Sequence, residues 1–362
     1  MLIPPKPVDA AVIYDPLLAQ LLSVTILGSH DKLNGLSQWS IDSADQMSAA
    51  EQAVQGIVRW LNLDGFVNII PAGHHPQSIP EYVQLIDSIP AEELRNQLLL
   101  NNVNAVHFAV GSDYWQIPAS DPLSLLNNYE QFKNFYQELT KTKYDIYDVV
   151  DVRYVFDTLN DPQALKNELV SHLNMVWHRF LEREWRTAGP AIQHCVEAFQ
   201  SIRLLDVTML EAIEAVTGRD IRAAFRLDKL LEFEKVRFIP DVHSGPYVIW
   251  FGQADTLIIA FPVRDLKTSA PVFDKSTMVN RFKALSDENR VSILLALAEA
   301  GTLTTAEIIE RFDFDKSAAS RHLRQLVATS LIDELRIEKA KKGYQLNRST
   351  IAELDEALKQ LL

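Results

Sequence analysis

Five polar side chains near the C-terminus, Lys316, Ser317, Ser320, Arg321 and Arg324, have the types and spacing to read nucleic acid. Asp315 ahead of them is a favoured N-cap, and Ala319, Leu323 and Leu326 follow at i, i+4 and i+7, the stripe of a helix that faces a core. At about 100° per residue, Ser317, Arg321 and Arg324 then gather on the opposite face, with Lys316 and Ser320 beside them near the N-terminal end. Arginine takes guanine bidentately, serine serves either base pair, and a helix N-terminus attracts phosphate. The expected partner of this face is double-stranded DNA. His322, within the same run, leans toward the core side of the wheel, where a packing histidine and a base contact fit equally well.

Elsewhere the chain offers little chemistry. It has no GxSxG, GxGxxG, P-loop or HExxH, and with 12 glycines no glycine-rich phosphate cradle is visible. His178 and Glu182 stand at i, i+4, spacing that allows an acid–base or metal pair but that far more often marks an exposed ion pair, and His172 falls on a different face. His74-His75 lie in a Pro/Gly loop without companion ligands. His194 and Cys195 are neighbours on a helix, where adjacent side chains diverge. Trp177, Trp185, Tyr247 and Trp250 either line an apolar pocket or, as tryptophans more often do, fill cores. The reading is therefore of a chain that is not an enzyme, with no catalytic residue and no cofactor; any effector-binding residues are unknown.

The elements that must hold the polar face form a winged helix. Ser286-Asp287-Glu288-Asn289-Arg290 opens a helix with apolar positions Val291, Leu294, Leu295 and Ala298, ending at Gly301. Thr304-Thr305-Ala306-Glu307 is a capping box for the next, short helix. Two alternating runs, 334–338 and 343–347, make a hairpin with a basic tip, so Arg336, Lys339, Lys341 and Lys342 are expected to meet the DNA backbone. Ser349 caps a last helix whose Ile351, Leu354, Leu358, Leu361 and Leu362 form an apolar seam longer than a small domain needs. A second subunit is implied.

The run Arg281-Phe282-Lys283-Ala284-Leu285-Ser286-Asp287-Glu288-Asn289-Arg290, followed by Ser317-Ala318-Ala319-Ser320-Arg321-His322-Leu323, resembles the ArsR/SmtB family of bacterial winged-helix repressors over roughly the last quarter of the chain. The resemblance implies a homodimer with one recognition helix per subunit in successive major grooves and a wing against the backbone. By position, Lys316, Ser317, Ser320 and Arg321 match the family's DNA-reading residues. The family's metal-sensing ligands are missing. Residues 276–362 contain no cysteine and one histidine, His322, too few soft ligands for a transition-metal site; Glu353 and Asp355 read as a solvated acidic face. Cys195 is the only cysteine, which fits a reducing cytoplasm.

A length of 362 residues predicts two or three domains. We expect a mainly α chain: residues 1–270 a helical regulatory or oligomerisation domain with a small antiparallel β meander near 235–263, and residues 271–362 the winged helix-turn-helix. Asp15-Pro16, Asp121-Pro122 and Asp161-Pro162 start helices, and helices are expected near 16–27, 48–62, 91–108, 122–140, 145–158, 162–185 and 208–217. The segment around Trp177 and Trp185, with Phe238-Ile239-Pro240 and His243-Ser244-Gly245-Pro246, is similar to N-terminal regions of some extended ArsR-type regulators, which bears on architecture only. Residues 276–362 carry 13 basic and 13 acidic residues, so the whole net charge of −13 falls on residues 1–275. Such a region is repelled by DNA and is expected to regulate, through an unidentified small-molecule or protein effector. The apolar stretch from Ala10 to Leu27 is broken by Asp15 and Gln20, so no membrane association is expected. The alternative is a protein-interaction module or an enzyme that carries a winged helix.

Overall fold

The computed structural model describes residues 7–29, 33, 36–110, 121–142, 151–200, 204–219, 221, 230–263, 275–338 and 341–359. Local chemistry sets most helix starts. Asp15 caps α1 (Pro16–Thr25), its Oδ1 accepting from Leu18 N at 2.9 Å, and Asp161 caps α8 (Pro162–Val176) through Ala164 N at 3.0 Å. Between them lie α2 (Gln38–Asp45), α3 (Ala49–Val67), α4 (Ile79–Ser88), α5 (Ala91–Val110), α6 (Tyr129–Thr142) and α7 (Val152–Asn160). The helix expected near 122–140 is two elements. Asp121 makes no side-chain cap, Pro122–Asn127 is a 3-10 turn, and Asn128 Oδ1 starts α6 by accepting from Glu130 N and Gln131 N. The helix expected near 145–158 appears as α7, and residues 143–150 lie outside the described ones. After α8 the chain passes through a π-helical turn, Trp177–Leu181, into α9 (Glu182–Phe199) and later α10 (Met209–Thr217).

The strand runs near 235–263 are where the sequence places them, but they do not form a meander. β1 (Asp9–Val12), β2 (Lys235–Asp241), β3 (Ile249–Gln253) and β4 (Thr256–Pro262) make a mixed sheet in the order β1-β2-β4-β3. β1 and β4 both run parallel to β2, and only β3 and β4 pair antiparallel. The reason lies in burial. Val236, Phe238, Leu257, Ile259 and Phe261 point into a core with Phe199, Ile213 and Val216, whereas Ile239, Ile258 and Ala260 point into the larger helical core around Trp60 and Phe66. A strand buried on both faces reads as a continuous apolar run, and Leu257-Ile258-Ile259-Ala260-Phe261 is one, so β4 takes a central place and β3 the edge. The helical layers on either side leave this region mainly α.

The C-terminal elements are α11 (Lys275–Leu285), α12 (Glu288–Ala300), β5 (Thr302–Thr304), α13 (Thr305–Phe312), α14 (Lys316–Ala328), β6 (Ile332–Glu338), β7 (Lys341–Leu346) and α15 (Arg348–Lys359). The three strands form an antiparallel sheet ordered β5-β7-β6. Ile293, Leu297, Ile308, Leu323, Leu326, Ile332, Tyr344 and Leu354 fill the core. The buried side of α12 differs from the expected one: Ile293, Leu294, Ala296 and Leu297 face inward, while Leu295 is 62% exposed and Ala298 is also exposed. Apolar residues around the whole circumference of this helix leave its phase open to packing rather than fixing it by pattern. Among the described residues, no helix is long and apolar enough to cross a membrane.

Candidate nucleic-acid interface

The polar face stands on a tight turn between two capped helices. Thr304 and Glu307 close the capping box of α13: Thr304 N donates to Glu307 Oε2 at 2.7 Å and Glu307 N to Thr304 Oγ1 at 3.3 Å. α13 ends at Asp313 in the left-handed region (φ 51°), and the chain reverses through Phe314, which stacks on Phe312 at 5.5 Å. Asp315 Oδ1 then accepts from Ala318 N at 2.7 Å and starts α14. Behind α14, Ala319, Leu323, Leu326 and Val327 are buried, which orients the opposite face outward. Lys316, Ser317, Arg321 and Arg324 are exposed on that face and Ser320 is half-buried beside them, as the periodicity predicts. Arg324 rests against its own helix, Nε donating to Ser320 O at 3.3 Å. The acidic residue at the N-terminus of α14 is its cap, Asp315, and the first turn that follows carries none.

His322 belongs to the other side. It is 6% exposed, its ring lies 5.4 Å from that of Phe314, and its Nδ1 is 3.7 Å from Asp287 Oδ1. Of the two roles open to it in the sequence, packing is the one its place allows. The outward polar face therefore consists of Lys316, Ser317, Ser320, Arg321 and Arg324.

The wing is only partly within the described residues. β6 and β7 pair with Arg336 opposite Lys342 and a register shift between Arg336 and Glu338. Lys339 lies outside the described residues, as do the side chains of Arg336 and Lys341. Lys342 is exposed, its Nζ 3.0 Å from Glu334 Oε1. A surface pair of this kind contributes little, about 1 kcal/mol at most, and yields readily to a phosphate.

The other candidate groups do not assemble into a site. His178 and Glu182 form an exposed pair at 3.4 Å, His194 points to solvent while Cys195 is buried, and Trp177 and Trp185, Trp250, and Tyr247 pack against three separate cores. His74 and His75 are exposed on the rim of a cleft of about 440 Å³ that also touches Tyr14 and Asp15. Burial pushes the Asp15 carboxyl up from its ordinary value. Among the described residues, no three His, Cys, Asp or Glu side chains converge as metal ligands.

One arrangement had no signal in the sequence. His243, buried at the end of β2, donates from Nδ1 to Ser23 Oγ at 2.8 Å, because that hydroxyl spends its own proton on Ala19 O. Its Nε2 lies 3.4 Å from Glu184 Oε1, and Trp39 stacks on the ring at 4.1 Å. Burial holds this imidazole below its ordinary value, with Asp241 and Glu184 pulling it back up. Ser23 and His243 are 220 residues apart, so no local pattern could have joined them.

Residues 285–334 match the family model of a helix-turn-helix domain. The match spans α12, α13, α14 and the start of β6, the elements that carry and support the polar face. A search of curated proteins finds no match for the chain. The chain thus carries a C-terminal helix-turn-helix domain.

Proposed function

We propose that this protein is a cytoplasmic, DNA-binding transcriptional regulator of the ArsR type, a homodimeric repressor that reads an inverted repeat with α14. The observation that carries the reading is the exposed face of Lys316, Ser317, Arg321 and Arg324 on a helix whose other side is buried. Homodimerisation is supported by apolar side chains left at the surface of the winged helix: Val279 and Phe282 on α11, Leu295 on α12 and Leu358 on α15. The ion pair between Arg281 and Glu353 at 3.1 Å joins α11 to α15, the two helices that carry three of these side chains, and a second copy would cover them. Residues 1–270 supply effector sensing or further dimer contacts. Metal sensing by the C-terminal region is disfavoured by its single histidine, which is buried, and its lack of cysteine.

The neutral charge balance of residues 276–362 favours, as a second reading, a winged helix that contacts protein. Titrating the full chain into a duplex from its own upstream region, against a scrambled duplex at the same salt, separates the two. The regulator reading predicts preference for the upstream duplex by about a thousandfold or more; equal affinity for both duplexes contradicts it.

A further inference from the structure

Among the described residues, a buried ion pair ties the winged helix to the rest of the chain. Arg219, just beyond the Gly218 that ends α10, places Nη1 2.8 Å from Asp333 Oδ1, with the two side chains 10% and 2% exposed. The same carboxylate oxygen accepts from Asn347 Nδ2 at 3.0 Å. Asp333 stands at the start of β6, directly after the turn that leaves α14. Asn347 stands at the end of β7, where its N donates to Leu331 O at 3.1 Å and its Oδ1 accepts from Thr350 N at 3.0 Å at the start of α15. One carboxylate therefore sits where the recognition helix, both wing strands and the last helix converge.

Arg219 also donates through Nη2 to Pro246 O, and the next residue, Tyr247, packs against the winged-helix core. The segment His243–Tyr247 thus has one end in each region: Tyr247 on the winged helix, and His243 among Ser23, Trp39 and Glu184 of the N-terminal helices. Its backbone is tied down as well, with His243 O accepting from Ser37 N and Asp241 Oδ2 accepting from the amides of His243 and Ser244.

We propose that the Arg219–Asp333 ion pair, with the segment His243–Tyr247, is the coupling through which the N-terminal region sets the orientation of the recognition helix and wing. Rearrangement of α1, α2 or α9 moves His243, and the segment passes that movement to the base of α14 and the wing. The contact lies at the far end of α14 from Lys316, Ser317 and Arg321, so it acts without covering the DNA-reading face. Losing one partner of a buried ion pair leaves a charge without compensation, whereas replacing both with apolar groups is often neutral. That asymmetry makes the coupling testable. The regulatory half of the proposal rests on the DNA-binding reading; the mechanical half does not.

All six tryptophans precede residue 264, so tryptophan fluorescence follows the N-terminal region, while far-ultraviolet circular dichroism follows both regions. In the full chain the two signals should unfold together. In Arg219→Met they should separate, with the double variant Arg219→Met/Asp333→Leu bringing them back together and Arg219→Lys, a milder change, falling between. Affinity for the upstream duplex should shift about fivefold or more in Arg219→Met, although this residue touches no DNA. Coincident, unshifted transitions in both Arg219→Met and Arg219→Lys would overturn the coupling. Separated transitions with unchanged DNA affinity would overturn its regulatory role. Should Arg219→Met not fold, Arg219→Lys decides both points. If the parent chain binds no duplex selectively, the DNA reading fails, and the two unfolding signals still decide the mechanical coupling.

Discussion

At the scale of single residues, the outward polar face of α14 was legible because side chains on a regular helix follow its period, and the cap at Asp315 fixed where that period starts. Arg321 projects from its exposed side. Replacing it with alanine should weaken selective binding by about 1–3 kcal/mol if the guanidinium takes a base bidentately. Equal affinity of variant and parent for the upstream duplex would remove Arg321 from the reading set. His322 was legible only as an alternative, since wheel position could not tell that Phe314 and Asp287 would enclose it. A second histidine carries a pH dependence. His172, 4% exposed, donates from Nε2 to Gln55 Oε1 at 2.8 Å, and burial pulls its pKa from 6.5 down to about 4. The unfolded chain therefore binds a proton that the folded one refuses between those values, so this contribution is full above pH 6.5 and is lost as pH falls toward 4. At about 1.4 kcal/mol per unit the loss approaches about 3 kcal/mol. Thermal unfolding of His172→Gln should be less sensitive to pH over that interval than the parent; an unchanged pH profile would contradict the assignment.

At the scale of elements, what the sequence announced was what local rules control. The capping box at Thr304 and Glu307, the helix starts at Asp15-Pro16 and Asp161-Pro162 and the two wing strands all arise within a few residues. What it hid was decided by packing across long separations. β1 is four residues long and pairs with a strand more than 220 positions away, and the order of β3 and β4 follows from burial on both faces of the sheet. α2 and α4 were not expected at all, although Ser37 and Ser78 cap them, because the runs they open are short. The wing carries its own prediction. Neutralising Lys341 and Lys342 together should weaken binding to every duplex and flatten the fall of affinity with salt by about one to two counterions. Identical salt slopes for variant and parent would mean that the wing tip does not meet the backbone.

For the whole molecule, the charge asymmetry readable in the sequence accords with a neutral C-terminal region carrying the polar face and an acidic N-terminal one carrying most of the mass. The buried tie between them was not readable. Arg219 and Asp333 lie 114 positions apart, and neither belongs to a motif. The central claim is that α14 reads DNA as one of a pair. Footprinting of the full chain on its own upstream region, with chelator present throughout, tests that claim most directly. The account predicts two protected half-sites of inverted sequence, centred about 10 base pairs or a multiple of that apart, with protection lost in Arg321→Ala. Uniform protection along the fragment, or none at concentrations that saturate a scrambled duplex, would contradict it.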